Sequence, residues 1–269
     1  RKADILRQNY LGGGSPVFGG AGVAYNGDYV VTAVTEDSIT LNAGISATSG
    51  NLNVTLKAGN TTSTGGITVN SAIDAKGGDV TIQTQGGKIS SNAAVTIGGN
   101  NITMDNTGGT IGTGGFINRG ASVGISQGVY LWGGVTATGN LNIAGVTNGT
   151  GAAGVQIQGN SAVLKGKSIN IYGQSANERG LLALSSAQIE ATNGNLSITA
   201  KSTSTGSSVI DVQDSALLKA TGNITIDATH ISTTQPAVSL TGSGVTSTGG
   251  DITITADSLN LTSAVTATN

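Results

Sequence analysis

Short alternating runs of apolar and polar residues recur along most of this chain. Gly194-Asn195-Leu196-Ser197-Ile198-Thr199 returns as Gly222-Asn223-Ile224-Thr225-Ile226-Asp227 and again as Gly250-Asp251-Ile252-Thr253-Ile254-Thr255. Followed backward, the first apolar residue of the phrase falls at Leu52, Val80, Ile102, Leu141, Ile169, Leu196, Ile224 and Ile252, at intervals of 28, 22, 39, 28, 27, 28 and 28 residues. A small polar residue precedes it each time: Asn51, Asp79, Asn101, Asn140, Ser168, Asn195, Asn223 or Asp251. Alternation with period two is the mark of a half-buried strand, and a fixed period of this size marks a repeat architecture.

Each unit holds more than one strand. A second apolar run follows the first, as at Ile67-Thr68-Val69, Val155-Gln156-Ile157 and Val238-Ser239-Leu240, and a third lies near Ile73, Val163, Ile189, Leu217 and Val245. Three short strands and three corners describe one coil of an all-β β-solenoid, a parallel β-helix of about eight or more coils. One coil cannot bury its inward face alone, but a stack of coils buries a continuous apolar column. At about 4.8 Å per coil, eight units make a rod roughly 40 Å long. The corners call for Gly, which tolerates positive φ, and for Asn, Asp or Ser, whose side chains bond nearby backbone. Asn or Asp at the same corner of successive coils is expected to form a side-chain ladder, as in other stacked-strand structures.

The pattern divides the chain. Residues 1–45 do not show the repeat and are read as a cap or assembly segment, with Asn26-Gly27 as the two-residue turn of a hairpin. Residues 46–269 are read as the β-helix. The shortest unit, 22 residues, is taken as the basic coil, with the extra residues of longer units assigned to loops such as 59–64 and 201–205. The rhythm breaks at about 105–139, where the unit is 39 residues long and holds Phe116, Arg119, Tyr130 and the single Trp, Trp132. Insertions on a regular solenoid are where binding tends to reside, and aromatic rings with Arg anchor sugars and protein partners. Phe116, Arg119, Tyr130 and Trp132 are therefore the candidate ligand-binding residues.

Composition narrows the function. Charged residues make up 10% of the chain and aromatic residues 3%, against about 25% charged in ordinary domains. A net charge of −2 offers no basic patch to nucleic acid, and no apolar run is long enough to cross a membrane as a helix. With no Cys and one His, thiolate metal sites and His-based triads are not expected, nor is a cofactor. His230 is read as a loop residue. The carboxylates are scattered rather than gathered on one face, so no hydrolase pair is evident, and the chain is read as a non-enzyme. An ice-binding face needs a regular Thr-x-Thr ladder, and the outward pairs supply only Ser197/Thr199 and Thr253/Thr255.

The Gly-Asn-Leu/Ile-x-Ile units resemble the repeats of filamentous-haemagglutinin-like exoproteins of two-partner secretion, with high-molecular-weight adhesins and autotransporter passengers close by. The likeness covers roughly residues 46–269. It implies a right-handed β-helix, an extracellular or bacterial cell-surface location, and a role in adhesion or as a stalk. Its implied partners are a host glycan or surface protein, further repeats of the same parent chain, or other copies joined end to end. The Asn-Pro-Asn motifs of that family's secretion domain are absent, since neither Pro16 nor Pro236 lies in one.

Overall fold

The computed structural model describes residues 21–59, 65–108, 127–230 and 234–268, together with the backbone of Lys2–Asp4, Val17–Phe18 and His230. It is all-β. Among the described residues thirty strands form three ten-stranded sheets, and every third strand joins the same sheet. All strand pairs are parallel, as in Leu196–Ser202 beside Ile224–His230. The molecule is a β-solenoid, with one strand from each sheet per rung. The first sheet runs from Lys2–Asp4 to Ile252–Thr255, the second from Val17–Phe18 to Leu259–Leu261, and the third from Val23–Asn26 to Val265–Ala267. Ten strands at about 4.8 Å spacing give roughly 43 Å from the first to the last.

The inward residues of each strand meet in one continuous core. In the first sheet Ile102, Leu141, Ile169, Leu196 and Ile224 stack in register, each 0% exposed. The third sheet alternates a large residue with a small one: Ile73 then Ala75, Val135 then Ala137, Ile189 then Ala191, Leu218 then Ala220. The small residue lies where the chain turns back into the first sheet. At Gly166 a Cβ would sit 3.0 Å from the Cβ of Leu141, so the corner leaves no room for a larger side chain.

Three features differ from the sequence reading. Asn26-Gly27 is not a hairpin turn. Val23–Asn26 belongs to the third sheet and Tyr29–Thr35 to the first, each paired in parallel with a strand of the next rung. Residues 29–49 thus form a rung of the solenoid, and the dipeptide lies at the corner that leads into it from the third-sheet strand before. The register shifts by two at one rung: Val80 pairs with Val54, whereas Leu52 pairs with Tyr29. A two-residue shift keeps the same side chains facing in, so it costs no burial and leaves no trace in the alternation. Finally, part of the added length of the longer units is strand. The first-sheet strand has five residues in Val80–Thr84, which opens the 22-residue unit, and seven in Leu196–Ser202, which takes in Lys201 and Ser202. His230 likewise ends a strand rather than lying in a loop. Residues 60–64 lie outside the described residues.

Candidate functional site: an aromatic and amide patch on the second sheet

The corner residues form hydrogen bonds from rung to rung. The Asn101 N–H donates to Asp79 Oδ1 at 2.9 Å, and the Asn140 N–H to Asn101 Oδ1 at 3.0 Å. Further along, the Asn195 N–H donates to Ser168 Oγ at 3.4 Å, Asn223 to Asn195 Oδ1 at 2.8 Å, and Asp251 to Asn223 Oδ1 at 2.9 Å. Asn51 stands apart because of the register shift: its N–H donates to Asp28 Oδ1, while Asp79 takes Asn53 Oδ1 as its acceptor. The ladder also explains the glycine before the corner. A Cβ at Gly222 would lie 2.4 Å from Asn195 Oδ1, and one at Gly250 would lie 2.4 Å from Asn223 Oδ1. Neither is among the positive-φ glycines. Gly is present there for space, not for a left-handed backbone.

A second ladder was missed in the sequence. Asn42, Asn70 and Asn92 follow the second-sheet strands, and Asn70 Nδ2 donates to Asn42 Oδ1 at 2.8 Å and Asn92 Nδ2 to Asn70 Oδ1 at 2.6 Å. The signal was an Asn directly after the second apolar run in three successive units. On the next rung this position is Trp132, because Leu131 pairs with Ser91.

Trp132 and Tyr130 stand side by side on the outside of the second sheet. Tyr130 faces out because Val129 and Leu131, its strand neighbours, are fully buried. The two rings meet edge to face with centroids 5.6 Å apart, and the Lys88 ammonium lies 5.0 Å from the Tyr130 centroid. Tyr130 Oη donates to Gln158 Oε1 at 3.0 Å, Gln156 Nε2 donates to the same oxygen at 2.8 Å, and Gln127 Nε2 donates to Gln156 Oε1 at 3.1 Å. Burial pushes the Lys88 ammonium below its usual pKa. It pushes the Tyr130 phenol up, partly offset by a hydrogen bond with Trp132.

Of the four candidate residues, the fold brings Tyr130 and Trp132 together. Phe116 and Arg119 lie outside the described residues. Tyr130 lies within the regular strand Val129–Leu131, and Trp132 lies between it and Gly134–Ala137, so both belong to an ordinary rung of the solenoid. Lys88, Gln156 and Gln158 were not found from sequence because they come from neighbouring rungs, and only the register sets them around Tyr130; Gln127, on the same rung as Tyr130, joins the patch through Gln156.

The patch combines an aromatic platform 39% exposed at Trp132, a cation over a ring, and a chain of side-chain amides. Such a surface can stack an apolar face and exchange hydrogen bonds with hydroxyl or amide groups. Among the described residues no group of three His, Cys, Asp or Glu side chains could hold a metal ion. Comparison of the chain with protein families, curated proteins and solved structures finds no match.

Proposed function

We propose that this chain is a segment of a bacterial surface or secreted adhesin, a stiff β-helical rod that displays a binding patch for a host glycan or surface protein. One observation carries the reading. A chain with a single Trp and five Tyr sets Trp132 against Tyr130, on the outside of the rod and beside the one long interruption of the repeat. Buried strands do not require this pair, whose rings face outward. The test is binding of the purified chain to an array of glycans and matrix proteins, beside Trp132→Ala and Tyr130→Ala variants. Binding by the intact chain that both variants lose supports the reading. A folded chain that binds nothing on the array removes it.

A second reading, a stalk or filament subunit, draws on the last rung. Leu259, Leu261 and Val265 face along the core columns but are 45%, 43% and 39% exposed, while Leu240 and Val245 one rung earlier are 0% and 1% exposed. A further rung, from the parent chain or another copy, would cover them. Light scattering across a concentration series tests the second case, with growth of end-to-end polymers as the expected result.

A further inference from the structure

The outer face of the first sheet carries a separate depression of about 360 Å³, whose polar and aromatic lining is Asn142, Asn170, Tyr172, Ser197, Thr199 and Lys201, with Ile143 and Ile171 beside them. These residues come from three successive strands, Leu141–Thr147, Ile169–Ser175 and Leu196–Ser202. Register places Asn142, Asn170 and Ser197 in one outward column, and Tyr172 and Thr199 in the next. The two sites are on different sheets.

We propose that this depression binds one carboxylate-bearing sugar residue, such as a uronic or sialic acid at the end of a glycan. Four observations point to it. Its volume falls at the small end of the range for small-ligand sites, about 300–1,000 Å³. Tyr172 supplies a ring fixed in orientation, because its Oη donates to Gln174 Oε1 at 2.6 Å and Gln174 is buried. Most of the polar lining is uncharged. Asn170 Nδ2 donates to Asn142 Oδ1 at 3.0 Å, which leaves the Asn142 amide hydrogens and Asn170 Oδ1 without a protein partner among the described residues. Amides with both capacities, flanked by the Ser197 and Thr199 hydroxyls, suit a ligand rich in hydroxyl groups. Lys201 is the one charge in the lining, and it makes no ion pair among the described residues. Of the carboxylates in the Tyr172 column, Asp105 is buried two strands before it, and Asp227 lies one strand beyond Thr199, outside the lining. A ring for the sugar face, amides and hydroxyls for its hydroxyls and one ammonium for its carboxylate account for the polar and aromatic lining, and Ile143 and Ile171 complete its wall.

The site is independent of the Trp132 patch, and the experiment keeps the two apart. Isothermal titration calorimetry would use the whole chain with digalacturonate, 3′-sialyllactose and a glucuronate-ended disaccharide, each beside its neutral counterpart. At least one acidic sugar is expected to bind about tenfold or more tighter than its neutral counterpart. Lys201→Gln should abolish that preference, Tyr172→Ala should abolish binding, and Tyr172→Phe and Trp132→Ala should retain it. All three mutated side chains face outward, and unchanged circular dichroism and Tm establish that each variant is folded. The proposal is overturned if no acidic sugar binds the folded chain, if Lys201→Gln leaves the preference intact, or if binding disappears in Trp132→Ala.

Discussion

The corner ladder couples two residues 27 positions apart, Asn195 and Gly222, and a double-mutant cycle can measure that coupling. Asn195→Ala removes the acceptor at 2.8 Å from the Asn223 N–H. The corner is exposed and water can replace the lost bond, so the expected cost is about 1 kcal/mol. Gly222→Ala puts a methyl group 2.4 Å from Asn195 Oδ1 and 2.9 Å from the Gly194 carbonyl oxygen. The Asn195 side chain must swing away and the backbone must give slightly. Overpacking of this kind costs about 1–3 kcal/mol, less roughly 0.4–1 kcal/mol gained from the stiffer unfolded chain. Once Asn195 has swung away its ladder bond is already lost, so deleting that side chain costs nothing more. The double variant should therefore be more stable than additivity predicts by about 1 kcal/mol, the worth of one hydrogen bond. Urea denaturation of the four proteins gives the cycle, and amide exchange at Asn223 reports the bond directly. Additivity within about 0.3–0.5 kcal/mol, or unchanged Asn223 exchange in Asn195→Ala, would refute the account of why Gly precedes the corner residue.

Three further outcomes follow from the same geometry. Ile198→Ala, at a position 0% exposed, should cost about 2–5 kcal/mol in urea denaturation, whereas Thr199→Ala beside it on the outer face should stay within about 0.5 kcal/mol of the parent. Arg179 Nε donates to Asp211 Oδ2 at 2.8 Å and its Nη1 to Glu178 Oε2 at 3.0 Å, with the Asp211 side chain only 9% exposed. Arg179→Ala should cost about 1–3 kcal/mol, discounted from a fully buried pair because the Arg side chain is 30% exposed; Arg179→Lys should recover only part, since an ammonium cannot hold both carboxylates in the same fork. The single Trp makes Trp132 emission a reporter of its patch. Because burial lowers the Lys88 pKa, the ammonium over Tyr130 is lost as pH rises at a midpoint below 10.5, and the emission should shift there. Lys88→Met should remove that step, and a step that persists would dissociate Lys88 from the ring pair. The linkage has opposite signs for the two groups. Lys88 favours the folded state more as pH rises between its lowered pKa and 10.5, while Tyr130, whose pKa is raised, favours it less above 10.0.

The amino-acid sequence by itself determined the architecture. Alternation at Leu196-Ser197-Ile198 and its repetition 28 residues later require parallel strands stacked in register, since only a neighbouring rung can bury each inward face. It also singled out Tyr130 and Trp132, because an aromatic pair in an aromatic-poor chain stands out in composition. The register was only partly legible. Alternation has period two, so the shift that pairs Val80 with Val54 cannot be seen in it. Asn26-Gly27 misled for a related reason: a two-residue corner looks the same whether the chain folds back on its own strand or turns into the next sheet. The surroundings of each site were decided by tertiary structure alone. Lys88, Tyr130 and Gln158 are brought together from three consecutive rungs, and Asn142, Tyr172 and Lys201 from three that begin on the rung of Gln158. In a solenoid, residues more than twenty positions apart in sequence lie about 4.8 Å apart in space, and the lengths of the intervening corners, which carry no hydrophobic pattern, decide which of them meet.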